Sequence, residues 1–145
     1  MPPAITSSAN MKTAVLRAGG HIPYIAAMNS NLAPGIVKTG NYITTLEMRA
    51  RQLKADVFST PAMIGLMEWA SHECVEELLP EGHTTVGYEV HVRHLAPAPP
   101  GSTVVVTSRL AEVNGNKLAF EVACHLGDKL IGTGTHKRAV VPANY

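Results

Sequence analysis

The chain has 145 residues, of which 46% are hydrophobic and 16% are charged. This length suits one compact domain and is short for two. Twelve Lys and Arg against eleven Asp and Glu give a formal net charge of +1, far below the basic excess that contact with a nucleic-acid backbone needs. No apolar run approaches the roughly 20 residues of a membrane-spanning helix. The composition therefore predicts a protein without a nucleic-acid or membrane partner.

The two cysteines, Cys74 and Cys124, lie far apart, and neither has a second cysteine at the spacing of a zinc site or a disulfide framework. Each is in phase with neighbouring apolar residues, which predicts buried, inert thiols. We therefore expect a reducing, cytoplasmic compartment and no metal site.

The first forty residues contain no acidic side chain, since the first is Glu47. We interpret residues 1–40 as an N-terminal extension, in part without regular structure, and residues 41–145 as the folded domain. A mitochondrial presequence also lacks acidic residues, but only Lys12 and Arg17 supply positive charge in the first thirty positions, which disfavours that interpretation.

Alternating side chains over Tyr42–Arg49 predict a strand. The long helical pattern follows, with Thr60 as N-cap and Pro61 at the first helical position. It extends to Leu79 and ends at Pro80. Its apolar stripe consists of Met63, Leu66, Met67, Ala70, Cys74 and Leu78.

The rest of the chain is predicted to be β structure. A strand through Val86–Val92 ends at a Pro- and Gly-rich cluster, and Asn114-Gly115-Asn116 is a strong hairpin signal. The strands of the following meander are Thr103–Val113, Leu118–Leu126 and Leu130–Val141. A strand, a helix and an antiparallel meander predict a sheet wrapped round the single long helix.

Glu68 lies within an apolar arc of this helix, close on the helical wheel to Ile64, Val75 and Leu79. The other carboxylates, Glu73, Glu76 and Glu77, are predicted on the opposite, solvated side with His72. Two interpretations of Glu68 stay open. It either reaches water from the edge of the core, or it is a partly desolvated carboxylate that acts as nucleophile or general base.

Two histidines lie three positions apart on the strand through Val86–Val92 and its extension. His94 shares the predicted inward phase of Val86, Tyr88, Val90 and Val92, whereas His91 has the outward phase and is expected in solvent. Because residues three apart point to opposite faces, the two cannot chelate one metal together. His94 is then either an ordinary core histidine or a functional one.

Thr60 is explained by helix capping alone, although the free N–H groups of a helix N-terminus also suit an oxyanion. In the last strand, Gly132 and Gly134 suggest a bulge or a close backbone approach. The residues that follow, Thr135–Arg138, form a basic run that fits either a phosphate contact or a solvated strand end.

Four motifs in order and at matching spacing resemble the fluoroacetyl-CoA thioesterase-like family of hotdog-fold proteins, over about residues 41 to 143. They are Val57–Thr60, Gly65–Ala70, His94 with Ala96 and Pro99–Gly101, and Gly132–Val140. The resemblance implies an α+β hotdog fold, with an antiparallel sheet wrapped around one long central helix. It also implies a homodimer or higher homo-oligomer with active sites between protomers.

By the same resemblance, Thr60, Glu68 and His94 match the catalytic threonine, glutamate and histidine, and Gly87 and Arg138 match substrate-binding positions. The implied activity is hydrolysis of a short or small acyl-CoA thioester, without a cofactor. Glu68 would be nucleophile or general base, and His94 would manage the proton of the leaving thiolate. Alternatives are a hotdog enoyl-CoA hydratase or dehydratase and a non-catalytic acyl-CoA-binding module.

The sequence departs from the family shortly before the catalytic threonine. Where the fluoroacetate-specific enzyme has lid phenylalanines, this chain has Arg51, Gln52, Leu53 and Lys54. The resemblance therefore does not carry the preference for fluoroacetyl-CoA to this chain.

Overall fold

The sheet and helix that hold the predicted site residues are seen in a computed structural model that describes residues 31–144. Its strands are β1 (Val37–Ile43), β2 (His83–His94), β3 (Thr103–Asn114), β4 (Lys117–Leu126) and β5 (Lys129–Pro142), and its α-helix is α1 (Thr60–Glu76). The strands form one antiparallel sheet in the order β1-β3-β4-β5-β2. The prediction of an α+β fold, with an antiparallel sheet against one long helix, is confirmed.

The core lies between α1 and the face of the sheet that the helix covers. Met63, Met67 and Val75 of the helix are fully enclosed there, against Val106 of β3 and Phe120 of β4. Burial of large apolar side chains is the main stabilising contribution to such a layer. Because these buried residues fix α1 against the sheet, the polar residues beside them on the helix are fixed in position too.

The β3–β4 hairpin and β5 agree with the sequence prediction to within one or two residues. Gly115 at the hairpin tip has φ 61° and Gly127 before β5 has φ 59°, backbone conformations that glycine adopts without steric cost. The predicted turns are therefore confirmed, and they fix the antiparallel meander on which β2 is placed.

The strand predicted over Tyr42–Arg49 is wrong in its bounds, because β1 is Val37–Ile43 and a turn of 3-10 helix spans Leu46–Met48. Thr44 still pairs through its backbone, because its N–H donates to the Ser102 carbonyl at 2.9 Å, and its buried hydroxyl donates to the carbonyl of Pro99, also at 2.9 Å. The chain then turns into the 3-10 helix. The predicted boundary between residues 40 and 41 falls inside β1.

Ser59, not Thr60, caps α1, because the Ser59 side chain accepts a hydrogen bond from the amide of Ala62 at 3.2 Å. Thr60 is the first helical residue, so its hydroxyl is not used for capping. The helix ends at Glu76, three residues earlier than predicted. No helix among residues 31–144 is long and apolar enough to cross a membrane.

The predicted solvated side of α1 is only partly exposed. Glu76 accepts a hydrogen bond from the Thr84 hydroxyl at 3.2 Å and lies 3.6 Å from Nδ1 of His72. Both residues are half-buried, because they continue the helical row of Glu68 at intervals of four residues and so face β2. Their assignment to the opposite side of the helix was wrong.

A β-bulge divides β2 into two parts of opposite phase. The register shifts between Gly87 and Glu89, which leaves Tyr88 as the extra residue. Val86 therefore points away from α1 and is 47% exposed, contrary to the predicted inward phase. Val92 and His94, beyond the bulge, keep the predicted phase and are half-buried.

The close backbone approach predicted at the β5 glycines is confirmed. A Cβ atom on Gly134 would collide with the carbonyl oxygen of His91, and one on Gly132 would collide with the sulfur of Met63. The absence of side chains at these positions lets β2 and α1 pack closely on β5.

The prediction that both cysteines are buried is confirmed, and Cys74 and Cys124 are both free. Burial raises the pKa of the Cys124 thiol to about 11. At neutral pH this thiol is almost entirely protonated, so it is a poor nucleophile.

Candidate active site

The N-terminus of α1 meets the end of β2 through one hydrogen bond. Thr60 Oγ1 lies 2.9 Å from Nδ1 of His94. This contact is possible because Ser59 performs the capping, and because His94 lies on the face of β2 that the helix covers. Phe58 packs against the His94 ring edge-on, with centroids 6.1 Å apart and an interplanar angle of 76°. Two side chains 34 positions apart in the sequence are thus held in a fixed relation.

The other ring nitrogen of His94, Nε2, is buried and has no hydrogen-bond partner within residues 31–144. Buried polar atoms in proteins are nearly always hydrogen-bonded, so an exception requires an explanation, and a catalytic role is one. A histidine held by Thr60 at one nitrogen, with the other nitrogen unpaired, is suited to transfer a proton.

Glu68 lies two turns along α1 and faces the first part of β2 at Gly87. A Cβ atom on Gly87 would be 3.1 Å from Oε2 of Glu68, 3.2 Å from Nη1 of Arg138 and 2.9 Å from Cε1 of His136. Three side chains from α1 and β5 therefore converge on one backbone position of β2. Only glycine leaves them room to do so.

Glu68 makes no hydrogen bond or ion pair with any of residues 31–144, although the Arg138 guanidinium is near. The half-buried carboxylate opens onto a cavity of about 300 Å³, which Trp69, His72 and Arg138 also line. The Trp69 ring is stacked on His72 with centroids 5.1 Å apart. A carboxylate that is partly desolvated, unpaired and accessible from a cavity fits the functional interpretation better than that of a core-edge residue.

Arg138 is buried, and each of its three side-chain nitrogens has an acceptor. Its Nε donates to Thr85 Oγ1 at 2.8 Å, Nη2 donates to the Thr85 carbonyl at 2.9 Å, and Nη1 lies 3.2 Å from Nε2 of His136. Burial lowers the pKa of the Arg138 guanidinium, and the carboxylates of Glu68 and Glu76 raise it. An arginine keeps its charge even when this pKa falls, because its ordinary value is above 12. A permanent positive charge therefore faces Glu68.

The basic run Thr135–Arg138 is not a solvated strand end, so that interpretation from the sequence was wrong. His136 and Arg138 point toward α1 and are only 2% and 7% exposed. Lys137 lies on the other face, where its Nζ is 3.3 Å from a carboxylate oxygen of Glu89. The alternation in β5 thus divides one basic run between the interior and the outer face.

A second opening, a groove of about 980 Å³, lies at the N-terminus of α1. It is lined by Thr60, His94 and the segment that precedes the helix, including Arg49 and Arg51. Nε of Arg49 lies 3.7 Å from a carboxylate oxygen of Asp56. Arg51 is exposed in the groove. Glu47 lines the groove too, so charged side chains of both signs line the opening that reaches His94.

The five predicted site residues fall into two groups within this chain. Thr60 and His94 form one group, and Glu68, Gly87 and Arg138 form the other. The offset of eight residues from Thr60 to Glu68 corresponds to about 12 Å along the helix axis. His94 thus faces the start of α1 and not the Glu68 of the same chain. His91 is exposed on the outer face, as predicted.

His136 and Thr85 both contact Arg138 in the site, and neither was predicted from the sequence as a site residue. A signal for His136 was present, because it shares its strand phase with Arg138 and with the apolar Val140. Thr85 gave no such signal, because the bulge at Tyr88 reverses the phase of the strand between it and His94.

Comparison with known proteins identifies the family to which this chain belongs. The model of a family described as fluoroacetyl-CoA-specific thioesterase matches residues 41–144. A curated fluoroacetyl-CoA thioesterase from Streptantibioticus cattleyicolor is 44% identical over 86 residues, which are 59% of this chain and 62% of that protein. This chain thus spans less than two thirds of that relative.

Two solved structures have the same fold. A variant of the fluoroacetyl-CoA-specific thioesterase FlK, in complex with fluoroacetate and CoA, is 34% identical, with a TM-score of 0.74 over 78% of this chain and 98% of that one. A hot-dog-like protein from Thermanaerovibrio acidaminovorans is 26% identical, with a TM-score of 0.74 over 81% and 89% of the two chains. From the family match over most of its length, we conclude that this chain is a hotdog-fold member of the fluoroacetyl-CoA-specific thioesterase family.

Proposed function

We propose that this chain hydrolyses a short or small acyl-CoA thioester. The observation that carries the proposal is that the Glu68 carboxylate, unpaired within residues 31–144, opens with the buried Arg138 charge onto one cavity, beside the Gly87 backbone. A thioester carbonyl placed there meets a nucleophile or base on one side and a fixed positive charge on the other. Such preorganised charge stabilises the oxyanion that forms at the carbonyl oxygen.

In the first step, either the Glu68 carboxylate or a water molecule that it activates attacks the carbonyl carbon. The C–S bond then breaks and the thiolate of CoA leaves. A thiol pKa of about 8.5 makes this thiolate a good leaving group. Attack by Glu68 itself gives a mixed anhydride that water hydrolyses, whereas attack by water gives the carboxylic acid directly.

We assign proton transfer to His94 and its orientation to Thr60. The bond to Thr60 Oγ1 fixes the ring, and the buried Nε2 is unpaired within residues 31–144. Because His94 and Glu68 lie apart within one chain, this nitrogen exchanges a proton with the leaving thiolate or the attacking water at the Glu68 of a second copy of the chain. The N–H groups at the start of α1 add positive potential at the same end of the groove.

A second copy of the chain is part of this proposal. β2 is an edge strand of the described sheet, and Val86, Tyr88 and Val90 on it are 40% to 50% exposed. An unpaired edge with exposed apolar residues favours pairing with another strand. Because Gly87 and His94 lie on β2, a partner docked along this edge lies beside both groups of site residues. We therefore propose a homodimer, or a higher homo-oligomer, in which the site is completed between protomers.

A reducing, cytoplasmic compartment also remains a proposal. Its support is that Cys74 and Cys124 are both buried and free.

The experiment is release of free thiol from acetyl-, propionyl- and longer acyl-CoA esters by the purified chain. We expect turnover that is highest for the short acyl groups. Loss of absorbance of an enoyl-CoA without thiol release would instead identify a hydratase. Binding of acyl-CoA without turnover of any ester would identify a binding module.

A further inference from the structure

His136 is buried behind the proposed site and takes no part in the mechanism above. It is 2% exposed, and its ring is stacked on Phe120 with centroids 6.3 Å apart and an interplanar angle of 29°. Nδ1 lies 2.8 Å from the carbonyl oxygen of Glu89 on β2, and Nε2 lies 3.2 Å from Nη1 of Arg138. Both ring nitrogens are therefore within hydrogen-bonding distance of a partner.

These two partners determine the protonation state of His136. A carbonyl oxygen only accepts hydrogen bonds, and a guanidinium only donates them. Both bonds form together only when Nδ1 carries the proton and Nε2 presents its lone pair to Arg138. The imidazole in this arrangement is neutral.

The surroundings of His136 agree with a neutral ring. Burial lowers the pKa of His136 most strongly, and the Arg138 charge lowers it further. The bond to the Glu89 carbonyl and the Glu68 carboxylate on α1 act in the opposite direction, and the net shift is downward. The lone pair on Nε2 therefore stays available to Arg138 through the neutral pH range.

The bond to His136 controls where the Arg138 charge points. Oε2 of Glu68 and Nη1 of Arg138 each lie close to the position that a Gly87 Cβ would occupy, and so within about 6 Å of each other, a distance at which opposite charges interact. Even so, they form no ion pair. Thr85 holds Nε and Nη2 of Arg138, so His136 is the acceptor that restrains Nη1.

We propose that His136 is a positioning residue, whose neutral imidazole holds the Arg138 guanidinium beside Glu68 and prevents it from closing an ion pair with that carboxylate. Without this acceptor, the planar guanidinium can shift as a unit until Nη1 donates to the strongest acceptor nearby, which is Glu68. A carboxylate engaged by arginine is a weaker nucleophile and base. This inference rests on the proposed function of Glu68.

The test compares two replacements of His136. In His136→Gln, the side-chain amide oxygen can replace Nε2 as acceptor. In His136→Phe, the ring shape and the stacking on Phe120 remain, but the acceptor is lost. We expect His136→Phe to lower kcat for acetyl-CoA by about tenfold or more, the size of effect known for outer partners of metal ligands. We expect KM to change little and His136→Gln to restore most of kcat.

His91→Gln is the matched control, because His91 is an exposed histidine on the neighbouring strand β2. It should leave kcat and KM unchanged. Thermal melts of all variants report folding. Equal loss of kcat in folded His136→Gln and His136→Phe, or wild-type kcat in folded His136→Phe, would overturn the proposal.

A measurement that does not depend on turnover separates this inference from the proposed function. ¹⁵N NMR of histidine-labelled wild-type protein should find His136 neutral at pH 7, with the proton on Nδ1. A proton on Nε2 would overturn the positioning role, because that nitrogen could not then accept from Arg138. If no acyl-CoA is hydrolysed, the proposed function fails, and the NMR result still decides whether His136 restrains Arg138.

Discussion

Replacement of Gly87 by alanine tests the convergence of side chains at the site. The added methyl group would lie 2.9 Å from Cε1 of His136, 3.1 Å from Oε2 of Glu68 and 3.2 Å from Nη1 of Arg138. Ordinary contacts of carbon atoms are about 3.5 to 4.0 Å. One or more of the three groups must therefore move by roughly 0.5 to 1 Å. The φ angle of Gly87 is not positive, so the backbone itself accepts alanine.

Displacements of this size have a known effect on rate. A misplacement of about 1 Å in a catalytic group can cost on the order of 10²-fold. We expect Gly87→Ala to lower kcat/KM for acetyl-CoA by about 10- to 100-fold, measured as thiol release. Because only side-chain ends must shift, we expect a cost in the free energy of unfolding toward the low end of the roughly 1 to 3 kcal/mol typical of overpacking.

Gly65→Ala is the matched control for the added methyl group. Gly65 lies on α1, one turn before Glu68, and lines the same cavity, but a Cβ atom there meets nothing within 4 Å. This substitution should raise the free energy of unfolding by about 0.5 to 1 kcal/mol, and should leave Glu68 in place. If Gly87→Ala retains kcat/KM within twofold of the wild-type value, the three side chains do not need their observed positions for catalysis, and the prediction is wrong.

Three further predictions concern the histidines, the sheet edge and the acyl group. His94→Ala should lower kcat by about 10²-fold or more, whereas exposed His91→Ala should not, and equal effects would show that the face of β2 is misassigned. Tyr88→Lys should weaken a dimer formed along β2, as a loss of molecular mass in light scattering; an unchanged mass would place the interface elsewhere. The kcat/KM ratio for fluoroacetyl-CoA over acetyl-CoA should stay below about 10³, because the family resemblance implies that Arg51 and Lys54 replace aromatic lid residues, and a plain pocket discriminates by only about 1 to 3 kcal/mol. A larger ratio would contradict this prediction.

Residue periodicity was sufficient to predict the helix and the strands that bury one face. α1 and the β3–β4–β5 meander follow from apolar residues at helical or alternating spacing, together with the turn glycines Gly115 and Gly127. The phase of His94 also follows from alternation, because no irregularity separates it from Val92. These features depend on local sequence, which is why they were predictable.

Other features depend on contacts between distant segments. β1 ends where Thr44 bonds to the distant segment that contains Pro99 and Ser102, and the phase of Val86 reverses at a bulge that alternation alone does not predict. The burial of His136 and Arg138 was missed because charged residues usually lie outside. Here a buried arginine is accommodated by acceptors on β2 and β5, which only the assembled sheet supplies.

The central claim is that the Glu68 carboxylate drives thioester hydrolysis, and the most direct test is the turnover of Glu68→Gln with acetyl-CoA. The substitution keeps the size of the side chain and removes its charge. If the Glu68 carboxylate drives hydrolysis, kcat should fall by about 10²-fold or more, while the thermal melt stays cooperative. Near-normal release of thiol by folded Glu68→Gln would contradict a catalytic role for this carboxylate. It would show that Glu68 is a polar residue at the edge of the core.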